Sequence, residues 1–482
     1  MKTLLAKRVE IALWILFLGC ALAVRYYLIH FFPVYIWSKD SSSYVDTAFQ
    51  WIHTGVWETD IRRGPIYSLF IGLILKIAPN LSAIMIAQHI LGAIAIILAV
   101  ALFCRLYPSD TRWIILLCGA AYGLYELPLY LEHLIRNETL LLIFATGALG
   151  AWAMALHSTH PSRWLLISGL SAGLLTLTKN IFLPFPFLVI TVLFYLHFKN
   201  KRTLVLSTFA FIGSFLLPYL AVYLQHSSAP DKTERSSYAG VQFYGRVAQW
   251  TYLEGGLYPE IKTLIHEPVE TYRKFKKPDN NVVIKKLIVP VIEEHLKTQG
   301  KGFSEVDRIC RNLAFEAIRK NPGLFTKQVL NDLYKLHFRC GYQSRLLKTN
   351  DLRDLIDDME QISRPDPMMH YNTVMQTLHN KVEANNFSGY YRFIKMSWLF
   401  EIFPPAFLTT LLLPLLFFFD RTPMRLFWLT VAGVWFFNII LLATVGRPLN
   451  RYFVPLAPLM FWTLTGTLIW LWQQRFRFQK SV

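Results

Sequence analysis

The feature that most constrains this chain is a recurrence of long apolar runs. They fall near 9–31, 65–79, 82–104, 112–131, 139–156, 164–178, 181–198, 203–225, 398–419, 426–445 and 453–473. Apolar runs of about 17–25 residues are what a helix needs to cross the hydrocarbon core of a bilayer. Composition agrees: 54% of the 482 residues are hydrophobic and 15% aromatic, with a mean hydropathy of +0.35. In such a chain a formal charge of +18 points to basic cytoplasmic loops rather than to nucleic acid. No zinc-like Cys/His spacing, P-loop, G-x-S-x-G or nucleotide-binding glycine pattern occurs. The N-terminal stretch MKTLLAKRVEIALWILFLGCALAVRYYLIHFF reads as an uncleaved first helix. Its apolar run outlasts a signal-peptide core, and no small-residue cleavage site precedes a polar chain.

The run from 226 to 397 is different. It is polar, holds most of the acidic residues and about half of the basic ones, and shows helical periodicity in FSEVDRICRNLAFEAIRKNPGLFTKQVLNDLYKL. Its length suits a separate domain. Cys310 and Cys340 lie within it. An extracytoplasmic disulfide between them is one reading; their unequal distances from the RKNPGLF turn argue against it. Cys20, Cys104 and Cys118 lie in apolar segments and read as packing.

Topology follows from parity. Lys2, Lys7 and Arg8, Arg105 and Arg112, Arg163, Lys199, Lys201 and Arg202, Arg421 and Arg425, and Arg475, Arg477 and Lys480 flank the apolar runs. Placed together in the cytoplasm, they let the segments alternate only if one candidate between Arg63 and Arg105 does not cross. PIYSLFIGLILKIAPN is short and interrupted by Lys76 and Pro79, so it is expected to be an interfacial helix. Ten crossings remain, with both termini inside and 226–397 outside. The expected architecture is all-α: a membrane module over 1–225 whose first external loop, 32–81, carries two surface helices, then a mostly helical extracytoplasmic domain over 226–397, then further membrane helices over 398–482. Isolated charges then gather at the outer membrane face: Asp40, Asp46, Arg62, Arg63, Glu132, Arg136, Glu138, Lys179, Arg447 and Arg451. Charges at that depth are costly and point to function.

The stretches KDSSSYVDTAFQWIHTGVW, RRGPIYSLFIGLIL, LEHLIRNETLLLIFATGAL, GLSAGLLTLTKNIFLPFPFLV and GRPLNRYFVPLAPLMFW, taken in order, resemble the GT-C superfamily of polytopic glycosyltransferases. The similarity is to the protein mannosyltransferases and to the aminoarabinose transferases that modify lipid A. It implies a GT-C-type helix bundle and an acidic catalytic residue in the first external loop, matched by Asp40. It implies a second acidic position after the third membrane helix, matched best by Glu138, with Glu132 as its neighbour. Where the aminoarabinose transferases carry Glu-Lys-Pro-Pro, this chain has RRGP; Arg63 stands in for the lysine and the Glu is absent. RNE resembles the acidic motif of oligosaccharyltransferase catalytic subunits, which use a divalent metal, but Arg136 replaces its first Asp.

The residue types fit a transfer from a polyprenyl-phosphate-linked sugar. The leaving phosphate needs cations, and Lys179, Arg447, Arg451 and Arg63, with Arg62 as a weaker candidate, could supply them. The acceptor hydroxyl needs a general base, for which Asp40 is the candidate; Tyr44 and Glu132 are weaker candidates for substrate contact. One displacement with one base predicts inversion. No cofactor is required, and a divalent metal has no support beyond the resemblance. The expected partners are the lipid-linked donor, a glycolipid, polysaccharide or protein acceptor, and membrane lipids, in a bacterial inner membrane with the site on the periplasmic side. Plainer readings exist for each residue. Asp40 suits an N-cap, Asp46 a solvent face, Glu138 a helix start or a partner of Arg136, Lys179 a helix C-terminus, and Arg447 and Arg451 lipid headgroups. His53, His89 and His133 lack metal spacing and read as structural. Rival functions are a lipid-linked glycan polymerase or ligase, a flippase, and a substrate-binding pseudoenzyme. The repeated halves and midplane charges of many transporters are missing.

Overall fold

Helices account for nearly all of the described backbone. The computed structural model describes residues 2–31, 35, 40–55, 64–179, 182–227, 239–273, 287–339, 405–419, 424–444 and 456–481. Among these, eighteen α-helices follow one another. The first ten are α1 (Lys2–Phe31), α2 (Ser41–Thr54), α3 (Pro65–Ile77), α4 (Leu81–Leu106), α5 (Arg112–Gly123), α6 (Glu126–His133), α7 (Glu138–His157), α8 (Pro161–Thr178), α9 (Pro184–His197) and α10 (Lys201–Ser227). The polar region gives α11 (Ala239–Val247), α12 (Pro259–Arg273), α13 (Val289–Thr298), α14 (Phe303–Lys320) and α15 (Pro322–Tyr334), the last continuing as a π-helical turn over Lys335–Arg339. The chain returns through α16 (Pro405–Phe419), α17 (Met424–Thr444) and α18 (Ala457–Ser481). Five helical stretches, Lys7–His30, Leu81–Leu106, Glu138–His157, Lys201–Leu224 and Met424–Thr444, are long and apolar enough to cross a membrane. The protein is an all-α, polytopic membrane protein.

One expected element is not a single helix. The apolar run 112–131 breaks after Gly123 into α5 and α6. Pro128, in the first turn of α6, has no N–H to give the carbonyl of Leu124, so the α-helical ladder cannot pass through it. α6 ends at His133, and the loop 134–137 joins it to α7. α3 has 13 residues, roughly 20 Å of helix and less than the ~30 Å of a hydrocarbon core. It packs as a pair with α2, with the Lys76 ammonium 4.0 Å from the Trp51 ring centroid.

The membrane core is dense in aromatic side chains, and three of its indoles find acceptors within the bundle. The indole N–H of Trp152 donates to the Thr430 hydroxyl at 3.2 Å, that of Trp462 to the Ala99 carbonyl at 3.3 Å, and that of Trp435 to the Thr410 hydroxyl at 2.8 Å. α8 and α10 approach through glycines one turn apart. A Cβ on Gly169 would stand 2.3 Å from the Phe211 carbonyl oxygen, and one on Gly173 2.3 Å from that of Phe215. This is the close small-residue crossing that helices use in lipid.

The polar region builds its own core from α11 to α14, around Tyr244, Ile265, Ile292 and Leu313. The Asp307 carboxylate accepts the Val241 N–H at 3.0 Å, which caps the start of α11. Cys310 lies wholly buried in this core as a free thiol, and burial pushes its pKa up, so the disulfide reading does not hold for it; Cys340 lies outside the described residues. This domain is tied to the bundle by Arg246 of α11, which pairs with Asp332 of α15 and donates to the Ala443 carbonyl at 3.2 Å, in the last turn of α17.

Two measurements check this packing. Gly169→Leu or Gly173→Leu is expected to lower stability by about 1–3 kcal/mol through overpacking, seen as a lower apparent Tm in detergent. Gly213→Ala, on the same helix pair but with nothing within 4 Å of the added carbon, is expected to be neutral. Cys310 is expected to stay unlabelled by maleimide in the native protein and to react once the chain is unfolded.

Candidate active site

The loop 134–137 between α6 and α7 is fixed from four sides. The Ser41 hydroxyl, at the start of α2, donates to the Ile135 carbonyl at 3.0 Å. From α4, the Gln88 side-chain N–H₂ donates to the Glu132 carbonyl at 2.8 Å and the Leu134 carbonyl at 2.7 Å. The Gln88 oxygen accepts the hydroxyl of Tyr67, from α3, and that hydroxyl lies against the backbone amide of Arg136. From the loop itself, the Asn137 side chain donates to the Thr178 carbonyl at 3.3 Å, at the end of α8. Gly64 closes the same corner: a Cβ there would stand 2.1 Å from the Leu177 carbonyl oxygen. An apolar cluster of Tyr44, Val45, Ile71, Ile84 and Ile135 seals the seam between α2, α3, α4 and the loop.

Two of the expected catalytic residues adjoin this loop, Asp40 through its contact with Arg136 and Glu138 as the residue that follows it. Asp40 precedes α2, but its side chain makes no capping hydrogen bond. Its carboxylate instead accepts from the Arg136 guanidinium at 2.9 Å, with side chains 24% and 14% exposed. Glu138 opens α7, is almost wholly buried, and its Oε2 has no hydrogen-bond partner among the described residues. It sits at the positive end of the helix dipole and within electrostatic reach of the Tyr67 hydroxyl. A buried carboxylate oxygen without a donor is costly. Tyr44 is buried edge-to-face on Tyr67, with ring centroids 4.8 Å apart, so it holds Tyr67 in place. Lys179 is the C-cap residue of α8, adjoining the Thr178 carbonyl that Asn137 reaches. Asp46 lies exposed on α2. Arg62, Arg63, Arg447 and Arg451 lie outside the described residues.

Glu132 has a different setting. Its carboxylate is paired at 2.6 Å with Arg25 of α1, the two side chains being 1% and 4% exposed. Its other oxygen lies 2.7 Å from His89 Nδ1 without hydrogen-bond alignment. His89 Nε2 and His133 Nδ1 are 2.8 Å apart. Gly92 makes room for the carboxylate: a Cβ there would stand 1.9 Å from Glu132 Oε1. Glu132 is therefore committed to an internal ion pair, and substrate contact would require displacing Arg25. Arg25 escaped sequence reasoning because it sits inside the run 9–31. Its signal was there, since a lone arginine in an apolar helix needs a partner. Arg136 was counted among the outer charges, yet its pairing with Asp40 could not be read from sequence.

Among the described residues no group of three or more His, Cys, Asp or Glu side chains is placed to hold a metal ion. No family model matches the chain, and no curated protein does. Among solved structures it is similar to the crystal structure of ArnT from Cupriavidus metallidurans bound to undecaprenyl phosphate. Identity is 14% and the TM-score 0.33, over 94% of this chain and 77% of that one. A likeness that loose carries no argument.

The paired and unpaired carboxylates are separable by substitution. Arg25→Met or Glu132→Gln alone strands a buried charge and is expected to cost about 3–5 kcal/mol. The double variant is expected to recover much of that loss, which a double-mutant cycle on thermal or denaturant unfolding in detergent would read.

Proposed function

We propose that this protein is a glycosyltransferase of GT-C type. It moves a sugar from a polyprenyl-phosphate-linked donor to an acceptor at the extracytoplasmic face of the membrane. The observation that carries the reading is the partly exposed Asp40–Arg136 pair at the pinned loop 134–137, which is followed directly by the buried Glu138, whose Oε2 has no hydrogen-bond partner among the described residues. The ordered motifs that resemble the GT-C families support it.

In this reading the acceptor hydroxyl attacks the anomeric carbon of the donor sugar. The new bond forms from the acceptor oxygen to that carbon, and the bond from the carbon to the phosphate oxygen breaks. Asp40 takes the hydroxyl proton, and the polyprenyl phosphate leaves with the electron pair. A single displacement inverts the anomeric centre; retention would call for a carboxylate nucleophile and two steps. The leaving group is a good one, so the chemistry asks for cations around the phosphate more than for a general acid. Arg136 has two uses here. With no donor bound it neutralises Asp40. A donor phosphate competes for the same guanidinium, which can grip it bidentately, and a guanidinium drawn to phosphate leaves Asp40 to the acceptor. Lys179, Arg63, Arg447 and Arg451 are the further candidates for the phosphate, and Arg62 a weaker one. Glu138 orients the sugar through its hydroxyls or takes over as base. The 226–397 domain covers the site and helps to choose the acceptor, whether glycolipid, polysaccharide or protein. A bacterial inner membrane with a periplasmic site is the setting this implies.

The test is sugar transfer by purified protein in detergent, with a panel of labelled polyprenyl-phosphate sugars and membrane extract as acceptor. Asp40→Asn is expected to lower turnover by about 10²–10⁴-fold, the usual worth of a general base, with donor binding retained. Arg136→Met is expected to weaken donor binding. Equal transfer by wild type and Asp40→Asn would move the base to Glu138. Tight donor binding without transfer from any donor would overturn the enzyme reading in favour of a flippase or a pseudoenzyme.

A further inference from the structure

α15 belongs by sequence to the polar domain, yet it runs down the side of the membrane bundle. Two contacts set its depth. Asp332 meets Arg246, which reaches the Ala443 carbonyl in the last turn of α17. His337 meets the Thr410 hydroxyl at 3.0 Å, and the same hydroxyl takes the indole N–H of Trp435, near the middle of α17. From Ala443 to Trp435 is roughly 12 Å of helix, and from Asp332 to His337 roughly 7 Å, at about 1.5 Å per residue. The C-terminal turns of α15 therefore descend beside α17, below the level where that membrane-spanning helix ends. The inner face of α15 is consistent with this: Val329, Leu333 and the fully buried Leu336 pack into the membrane core.

The opposite face carries Lys327, Leu330 and Tyr334, spaced as one helical stripe. Leu330 is 59% exposed and Tyr334 50%, and Lys327 is also exposed. Leu330 and Tyr334 bracket Asp332, so they lie level with the end of α17. Lys327 lies roughly 7 Å further out, at about 1.5 Å per residue. An apolar residue and a tyrosine at the boundary, with a lysine one turn above, match the graded chemistry of a bilayer interface: acyl chains, then headgroup phosphates.

We propose that α15 is a monotopic membrane anchor. Leu330 and Tyr334 insert at the boundary between acyl chains and headgroups, Lys327 meets lipid phosphate, and the polar domain is thereby held at a fixed height over the bundle. The claim is independent of the transfer chemistry and needs only that α17 spans the bilayer.

The experiment is spin-label depth measurement on the full chain in nanodiscs containing anionic phospholipid. The background carries Cys20→Ala, Cys118→Ala and Cys340→Ala. Labels go on Leu330→Cys and, separately, Tyr334→Cys. Leu257→Cys, 50% exposed in the loop before α12 of the polar domain, is the aqueous reference. Both α15 labels are expected to show a severalfold higher ratio of oxygen to nickel-chelate accessibility than the reference, with Tyr334 deeper than Leu330. Nickel accessibility equal to that of the reference would overturn the proposal, because the face would be in water. Low accessibility to both reagents would also overturn it, because protein rather than lipid would cover the stripe.

Discussion

One buried amide holds the candidate site together. Gln88 uses both of its side-chain N–H bonds on the carbonyls of Glu132 and Leu134, and its oxygen takes the Tyr67 hydroxyl. It thus joins α4, α3 and the loop that follows the Pro128 break. Those carbonyls sit where α6 stops short of α7, so no helical ladder is available to them. Without a side chain to meet them the loop could not be both buried and fixed. Because it is fixed, the residues on its two ends point to different places. Glu132 turns inward to Arg25, while Arg136 turns to Asp40 before α2 and Glu138 lies within electrostatic reach of the Tyr67 hydroxyl.

Two arginine–carboxylate pairs, only a few residues apart along the chain, therefore do opposite things. Arg25 and Glu132 are shut away from solvent. Such a pair is stable only while both partners stay, and exchange with any other ion would strand a charge in a dry environment. Arg136 and Asp40 are partly open. There an incoming anion can take over the guanidinium while water still reaches both groups, so the cost of parting is modest. Exposure, more than distance, separates a structural ion pair from one that can change partners during a reaction cycle.

Much of this was legible in the sequence. The apolar runs place the membrane helices because burial in lipid leaves a strong, long-range pattern. The short helix α3 followed from an interrupted run between basic residues, and α2 from a helix start after Asp40; both helices are found where they were expected. Asp40 stood out as an acid after a long apolar stretch. The split of 112–131 was missed although Pro128 was visible, because apolar content masked the missing amide. Arg25 was hidden in the same way. The partners themselves could not be read: Arg136 is 96 residues from Asp40, and Glu132 is 107 from Arg25. Pairing at such separations is decided by which helices cross, and one sequence holds no record of that.

Gly92 bears on how such a chain can diverge. Its missing side chain is filled by the Glu132 carboxylate and not by a neighbouring backbone. The constraint on position 92 is therefore conditional. A lineage that loses the Arg25–Glu132 pair frees position 92 to accept alanine or serine, and one that has filled position 92 cannot readily regain the acid. The three positions should drift as a linked set, with glycine the first to be fixed and the last to be released.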